Sequence, residues 1–354
     1  MRATTQREAL LQTLSKVKSA VATKSTLPVL GNILVRAGGG ELTLTATDLE
    51  VALTASCKAN VTRQGAIAVL PKTLEAFLKA VKENTVTLSL VDKTHLKVEA
   101  GAITTLEGFE AQDYPKVPGV KGKAVVVTGL ADALKQISYA MARDEARPAL
   151  TGVHFASENG TMVLAASDGF RLAETKVKSK EQIEPTIVPA KAIQLVERLM
   201  PGKVSIHRVK ESKTRPSISF VGEGLIITAL VIVSKFPDYK HIIPKNGSPL
   251  TIEKKALQSA LDVVKITLPD NNAVRLQTRS GKLIVSTNSE GKGNTEVKVP
   301  AKGKAMIAFD INYLKDLIAK TNDKIILRTS GTQNPVAIRQ NGTVHVLMPM
   351  SVQW

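Results

Sequence analysis

The strongest constraint on how this chain can fold is an internal repeat. One order of helix-like and strand-like segments occurs three times along the 354 residues, at intervals of about 120 positions. Each copy opens with apolar residues at the i, i+3 or i+4, i+7 spacing of an amphipathic helix. These opening segments are residues 7–21, 130–141 and 254–265. A repeat of this length is a structural unit used several times, so the sequence predicts three similar modules in a row.

A second helical segment recurs later in each copy. The three segments are residues 69–81, 187–199 and 307–319. Pro71 and Pro189 stand near the start of the first two, where the missing backbone N–H of proline costs nothing. In the third copy Asp310 is predicted to cap the helix instead. Each copy is therefore predicted to contain two helices.

Alternating strands lie between and after these helices. Hairpins are predicted at residues 32–48, 153–168 and 274–290, the second turning at Asn159-Gly160 and the third at Ser280-Gly281. We therefore predict three copies of a β-α-β-β-β-α-β-β-β unit in an α+β fold. The predicted domains are residues 1–118, 119–244 and 245–354.

The charge of the chain indicates a polyanionic partner. The sequence has 48 Lys and Arg against 31 Asp and Glu, a formal net charge of +17. The excess is present in all three copies, which is typical of folded domains that bind nucleic acid. A basic surface that contacts only solvent is the alternative. Aromatic residues are 3% of the chain, which argues against stacking platforms for single-stranded bases.

The sequence lacks a recognisable catalytic or metal-binding constellation. None of the five histidines lies four residues from another, and no HExxH, GxxxxGK[ST] or GxGxxG motif occurs. Asp48 and Glu50 could share one face of a strand end, but the third copy does not keep this pair. We therefore predict no catalytic residue, no metal site and no cofactor. Because the single cysteine, Cys57, cannot form an intrachain disulfide, a reducing cytoplasm is predicted, and no apolar run is long enough to span a membrane.

The stretch A165-A-S-D-G-F-R-L-A173 allows two interpretations. An Asp beside a Gly, followed by an Arg, could form the edge of an active site. The outline T45-A-T-D-L-E occurs 120 positions earlier, and a feature that recurs with the repeat is more typical of architecture. We therefore expect a turn and packing element, in which Phe170 and Arg171 could still serve a surface.

Five segments, taken in order, resemble one family along the whole chain: T26-L-P-V-L-G-N-I-L-V, T45-A-T-D-L-E, A166-S-D-G-F-R-L-A, F236-P-D-Y-K and V346-L-M-P-M350. They are similar to bacterial DNA polymerase III beta subunits, the sliding clamps. The resemblance implies two subunits joined head to tail in a ring of six domains, with sheets outside and two helices per domain lining a hole. It implies a non-catalytic homodimer that encircles duplex DNA and makes polymerisation processive.

The resemblance also implies phosphate contacts from basic side chains, because a ring that slides must not read bases. Plain solvation is the alternative for each candidate. The candidates on the helices are Lys16, Lys18, Lys79, Lys191, Arg198, Lys254 and Lys315, and those in loops near the rim are Lys24 and Arg143.

A pocket between the second and third domains is implied for short apolar peptides of the polymerase catalytic subunit, the clamp loader and other clamp-motif proteins. Carried over by position, it includes Arg147, Leu150, Ser167, Gly169, Phe170, Arg171, Leu172, Pro237, His241, Ile242, Val346, Leu347, Met348, Pro349 and Met350. Leu172 and Val346 could instead be simply buried.

Three features depart from the family pattern: Phe170 stands where the family often has His, Pro148-Ala149 follow Arg147, and S351-V-Q-W354 follow the M-P-M motif. These four residues could enlarge the pocket or fold over it. The ring edges are expected at residues 104–109 of one subunit and after Lys265 of the other. The alternative to a ring is a basic multi-domain protein that binds DNA by its surface without encircling it.

Overall fold

A computed structural model describes residues 1–22, 25–209 and 216–354. Its contacts divide the chain into two compact units, residues 1–131 with 191–231 and residues 132–190 with 232–354. Neither unit coincides with one sequence repeat. The predicted domain boundaries therefore remain predictions.

The first repeat contains two α-helices, as predicted, with strands before, between and after them. The elements are β1 (Arg2–Gln6), α1 (Arg7–Val17), β2 (Ile33–Gly38), β3 (Glu41–Thr47), β4 (Val51–Lys58), β5 (Asn60–Arg63), β6 (Gly65–Val69), α2 (Pro71–Ala80), β7 (Thr85–Leu90), β8 (His95–Glu99) and β9 (Ile103–Glu110).

The second and third repeats follow the same order. The second has β10 (Ala124–Thr128), α3 (Leu130–Ile137), β11 (Gly152–Glu158), β12 (Thr161–Ser167), β13 (Arg171–Lys178), β14 (Thr186–Pro189), α4 (Ala190–Leu199), β15 (Lys203–Val209), β16 (Ser217–Gly222) and β17 (Leu225–Leu230). The third has β18 (Ser248–Glu253), α5 (Lys254–Val264), β19 (Ala273–Arg279), β20 (Lys282–Ser289), β21 (Gly293–Val299), β22 (Ala301–Lys302), β23 (Met306–Asp310), α6 (Ile311–Ala319), β24 (Lys324–Thr329), β25 (Val336–Gln340) and β26 (Thr343–Leu347).

The predicted order of elements is wrong in one respect. Between the two helices of each repeat the sequence predicts three strands, whereas the described residues have five, four and five. Each repeat has a strand directly after its hairpin (β4, β13 and β21), and the first and third repeats also have β5 and β22. The first five residues of β13 are all buried, so this part of the strand lacks the polar alternation by which half-buried strands are recognised. Strand β4 does alternate from Leu53 to Lys58, so its sequence contained a usable strand signal. Strands β4 and β13 also join one repeat to the next.

The first unit is built on one continuous sheet. Its thirteen described strands lie in the order β10-β15-β16-β17-β4-β3-β2-β6-β9-β8-β7-β1-β5. Strand β4 pairs antiparallel with β17, Val51 opposite Ala229 and Ala55 opposite Leu225. Backbone hydrogen bonds therefore connect the first repeat directly to the last strands of the second.

The second unit repeats this connection. Nine of its described strands form the order β14-β11-β12-β13-β26-β25-β24-β18-β22, and four more form β21-β20-β19-β23. Strand β13 pairs antiparallel with β26, Arg171 opposite Leu347 and Glu174 opposite Val344. The second repeat is thus connected to the third by the same kind of pair.

Local sequence signals explain the turns and helix starts. Asn159 and Gly160 have φ values of 46° and 74°, and Ser280 and Gly281 have 47° and 75°, the left-handed pair that a two-residue hairpin turn requires. Pro71 begins α2, and the Asp310 carboxylate accepts hydrogen bonds from the backbone N–H groups of Asn312 and Tyr313. These predictions are confirmed.

The amphipathic helices bury one face each. In the first unit Leu10 and Leu14 of α1 and Leu74 of α2 are fully buried. In the second, Leu257 of α5 and Leu314 of α6 belong to one apolar core that also includes strands of the third repeat. The opposite faces carry the polar residues, among them most of the candidate lysines. No helix in the described part of the chain is long and apolar enough to cross a membrane.

Candidate functional site

The turn at Asp168-Gly-Phe-Arg171 is held together by its own side chains. The Asp168 carboxylate accepts hydrogen bonds from the backbone N–H groups of Phe170 (2.9 Å) and Arg171 (3.0 Å). Gly169 has a φ of 93°, and a Cβ there would lie 2.4 Å from Nη1 of Arg147. The positive φ favours glycine at this position, whereas the flexible end of the Arg147 side chain could move to make room for a Cβ. The structure agrees with the interpretation of this motif as a turn.

Arg171 is buried within a ring of partners. Its Nε donates to Oδ2 of Asp168 (2.9 Å) and its Nη1 to Oδ2 of Asp316 on α6 (2.6 Å). Its guanidinium lies 5.3 Å from the ring centre of Tyr139 and 4.6 Å from that of Tyr313. Burial alone would lower the pKa of Arg171, but Asp316 and Asp168 together raise it above its ordinary value. Arg171 therefore stabilises the connection of the second and third repeats, and its side chain is buried.

Replacing Arg171 with methionine should lower the free energy of unfolding by about 3 kcal/mol, because breaking a buried ion pair leaves Asp168 without its counter-charge. Urea denaturation of the full chain measures this loss. Arg279→Met is the matched control, because Arg279 pairs with Glu296 at 3.7 Å and both side chains are about half exposed, and it should cost less than about 1 kcal/mol. Equal losses in the two variants would contradict this role of Arg171.

An apolar patch lies beside this turn, in the same unit. Leu150, Leu172 and Val346 pack into one cluster with Phe236 and Tyr239, and Ile242 packs against it. Phe170 remains 55% exposed and stacks on Tyr313 with ring centres 6.1 Å apart. The backbone N–H of Met348 donates to the carbonyl of Phe170 at 2.9 Å, which connects Met348 to the turn. Most of the predicted pocket residues thus come together on one surface.

One predicted pocket residue, Leu347, faces away from this surface. The Leu347 side chain belongs to the core of the third repeat, because successive side chains of β26 point to opposite faces of the sheet. We therefore exclude Leu347 from the contact surface. Pro237 and His241 are exposed. After Met350, the carbonyl of Gln353 accepts a hydrogen bond from the side chain of Arg275 on β19.

Sequence reasoning missed several residues that build this surface. Tyr239 is 7% exposed, and its hydroxyl donates to Oε2 of Glu174 at 2.7 Å. Burial and the Glu174 carboxylate raise the pKa of Tyr239 well above its ordinary value. The Tyr139 hydroxyl is hydrogen-bonded to Nδ1 of His345 (3.0 Å), and burial lowers the pKa of His345 to about 4. Aromatic residues are so rare in this chain that F236-P-D-Y239 was a usable signal.

The structure places the candidate DNA-contact residues in different environments. Lys18 and Lys79 both bond Glu75, and these lysines lower the pKa of Glu75. Lys191 pairs with Asp48. Lys254 donates to the carbonyl of Thr321 at 2.7 Å. The remaining candidates differ again: Lys315 pairs with Asp262, Lys16, Arg143 and Arg198 are exposed, and Lys24 lies outside the described residues.

The described residues contain no group of three His, Cys, Asp or Glu side chains that could hold a metal ion. Asp48 forms a turn and a salt bridge instead. Its carboxylate accepts from the backbone N–H of Val51 (2.8 Å) and pairs with Lys191. Burial would raise the pKa of Asp48, but Lys191 and Val51 together lower it.

Comparison with known proteins identifies the family. Models of the N-terminal, central and C-terminal domains of the DNA polymerase III beta subunit match residues 1–118, 124–238 and 240–351. The chain belongs to the DNA polymerase III beta subunit family. The beta sliding clamps of Pseudomonas putida and Pseudomonas aeruginosa are each 30% identical to it, over 99% of this chain and 100% of theirs.

Solved structures of the beta subunit family have the same fold. The DNA polymerase III subunit beta of Pseudomonas aeruginosa superposes with a TM-score of 0.92 at 27% identity, covering 99% of this chain and 100% of that one. The sliding clamp of Bacillus subtilis superposes at 0.91 and 20% identity over the whole of both chains, which supports the fold alone. The prediction of three repeated clamp domains is confirmed. The relatives also confirm a sliding clamp rather than an enzyme.

Proposed function

We propose that two copies of this chain close head to tail into a ring of six repeats around duplex DNA. The ring tethers the catalytic subunit of DNA polymerase III and other factors for processive synthesis in the cytoplasm, and catalyses no reaction itself. Its domains end near residues 118 and 244. Surface binding of DNA without encirclement is the less favoured alternative.

The observation that carries this proposal is the repeated junction between modules. In the first unit β4 of one repeat pairs with β17 of the next, and in the second unit β13 pairs with β26 in the same register. Leu53 opposite Ile227 corresponds to Ala173 opposite His345. The same strand pairing can form a third time, between the third repeat of one copy and the first repeat of a second copy.

The third repeat has the strand for a further junction, and the first repeat has its partner. Strand β21 corresponds to β4 and β13, and it lies at the edge of its sheet; β9 corresponds to β17 and β26. Among the described residues, β9 has no strand beside residues 103–107 on the side away from β8. Free strand edges are templates for pairing with another chain. In the shared register, Thr295 lies opposite Thr104 of the second copy.

Exposed apolar side chains mark the same two edges. Ile103 is 65% exposed and Ile266 is 75% exposed. Ile266 follows α5 at the position that Tyr139 has after α3, and Tyr139 packs at the junction of the second and third repeats. Ile266 therefore fills the equivalent place against a second copy, where it would be covered.

The two helices of each repeat line the hole of the ring and contact the phosphates of DNA. A cleft of about 960 Å³ in the first unit is lined by α1, α2 and the end of α4, with Lys18, Lys72 and Arg198 among its residues. Lysine on a long flexible stem follows a moving phosphate without fixing it. Contacts of this kind are independent of base sequence, as sliding requires.

The apolar patch at Phe170 binds an extended apolar peptide from the polymerase, the clamp loader or other clamp-motif proteins. Phe170, Met348 and Met350 supply adaptable contact area above the buried Leu172 and Val346. The mixture of flexible methionines and an aromatic anchor suits a site that several partners share.

Topological capture is tested by washing the protein, loaded on a nicked circular plasmid, at about 0.5 M salt, where phosphate contacts are weak. We expect the protein to remain on the circle and to leave within minutes of a single restriction cut. Gel filtration of the DNA fraction measures this retention. Release from the uncut circle by salt alone would indicate surface binding, because only a closed ring is held without affinity.

A further inference from the structure

A second cleft lies on the other face of the sheet in the first unit. Its volume is about 690 Å³, within the range of ~300–1,000 Å³ that ligand sites occupy. Its floor is formed by side chains of β2, β3, β4 and β17, and residues 111–120 pass over it as a strap. The floor residues are Leu34, Arg36, Thr45, Thr54, Ile226 and Thr228.

The cleft combines apolar area with positive charge. Its charged lining residues are Arg36 and Lys116, and both are exposed. Neither forms an ion pair with any described residue. Tyr114, Val117 and Val120 of the strap supply apolar walls. A ligand with an acidic group beside an apolar group would complement both features.

In the second unit, a tyrosine side chain fills the place that corresponds to this cleft. There the strap of residues 236–243 begins with Phe236-Pro237, as the first strap continues through Tyr114-Pro115. Three residues after Phe236, the ring of Tyr239 covers the sheet and its hydroxyl donates to Glu174 at 2.7 Å. Glu174 lies six residues after Asp168, as Thr54 lies six residues after Asp48.

The first unit lacks both members of this pair. Val117 stands three residues after Tyr114, where the second strap has its tyrosine, and Thr54 stands where β13 has Glu174. The hydroxyl of Thr54 is bonded to Thr45 at 3.2 Å. Because Val117 is smaller than tyrosine and Thr54 is smaller than glutamate, the cleft stays open at the point that Tyr239 fills in the other unit.

We propose that this cleft binds an acidic peptide segment of a partner protein and takes one aromatic side chain of that peptide in the position equivalent to Tyr239. Arg36 and Lys116 pair with the acidic residues beside the aromatic one. The site is separate from the Phe170 patch, and it does not depend on ring closure.

The test uses the full chain and a fluorescein-labelled hexapeptide, Ser-Asp-Tyr-Glu-Leu-Ser, with fluorescence polarisation as the readout. Saturable binding is expected. Charge reversal with Arg36→Glu and Lys116→Glu should weaken it at least tenfold. A second variant, Val117→Tyr with Thr54→Glu, copies the pair of the other unit, so it should close the cleft and remove binding while the protein stays folded.

Matched controls separate this site from others. Arg63→Glu with Lys82→Glu makes the same charge change at exposed positions of the same unit outside the cleft and should leave affinity unchanged, as should Phe170→Glu. Equal weakening in the control pair, an unchanged affinity after Val117→Tyr with Thr54→Glu, or displacement of the probe by a short DNA duplex would each overturn the proposal. Loss of retention on circular DNA would bear on ring formation only.

Discussion

Replacing Ile266 with aspartate should leave the chain a monomer of 37.9 kDa at low micromolar concentration, where the unmodified chain is a dimer. Ile266 is 75% exposed in the single chain, so the substitution costs the monomer little. In the dimer it would bury an unpaired carboxylate, which costs several kcal/mol. The expected loss of dimer affinity is at least a hundredfold, measured by native mass spectrometry or sedimentation.

The control for Ile266→Asp is Val233→Asp. Val233 is 79% exposed and lies on neither free strand edge, so this variant should remain a dimer. The Ile266→Asp variant, as a monomer, should also fail to remain on a nicked circular plasmid. A dimer that survives Ile266→Asp would show that the β9 and β21 edges are joined without this contact, or that another surface forms the dimer.

Replacing Phe170 with glutamate should strongly weaken partner binding without opening the ring. Aromatic anchors at the centre of an interface commonly contribute about 2 kcal/mol or more, so we expect affinity for the clamp-binding peptide of the polymerase to fall at least thirtyfold. Phe170 is half exposed and its backbone carries the turn's hydrogen bonds, so the fold should tolerate the change. Fluorescence polarisation with the labelled peptide measures the effect.

The matched control for this substitution is Ile326→Glu on β24. Ile326 is an exposed apolar residue of the same unit, 41% accessible, and lies outside the apolar cluster of Leu150, Leu172 and Val346. It should leave peptide affinity and polymerase processivity unchanged. If Phe170→Glu weakened retention on circular DNA as well, the patch would serve the ring and not only its partners.

Much of the fold could be predicted from local patterns. Helix periodicity identified the six α-helices of the described residues, and the pairs Asn159-Gly160 and Ser280-Gly281 identified hairpin turns, since each depends on residues close in sequence. The strands that join the modules were missed. Strand β13 lies between β12 and β26 in its sheet, and its first five residues are buried whichever face they point to, so that part shows no alternation that a sequence could reveal.

The candidate site was predicted by position but not by contact. Arg171 and Phe170 are neighbours in sequence, yet one is 5% exposed and the other 55%. Lys191 was expected to face DNA and is paired with Asp48, a residue 143 positions away. Pairings over such distances depend on how modules dock, which no local pattern contains.

The sequence by itself determined the threefold repeat, the turn types, the helix starts and the excess of positive charge. These properties follow from periodicity, backbone preference and composition, which act over a few residues or over the whole chain. Only the tertiary structure decided which strand edges remain unpaired and which lysines have no ion-pair partner. It also decided that a cleft stays open at Val117, whereas Tyr239 fills the corresponding place in the second unit. Those outcomes arise from packing between distant segments, where one side chain's volume or charge decides what its neighbours can do.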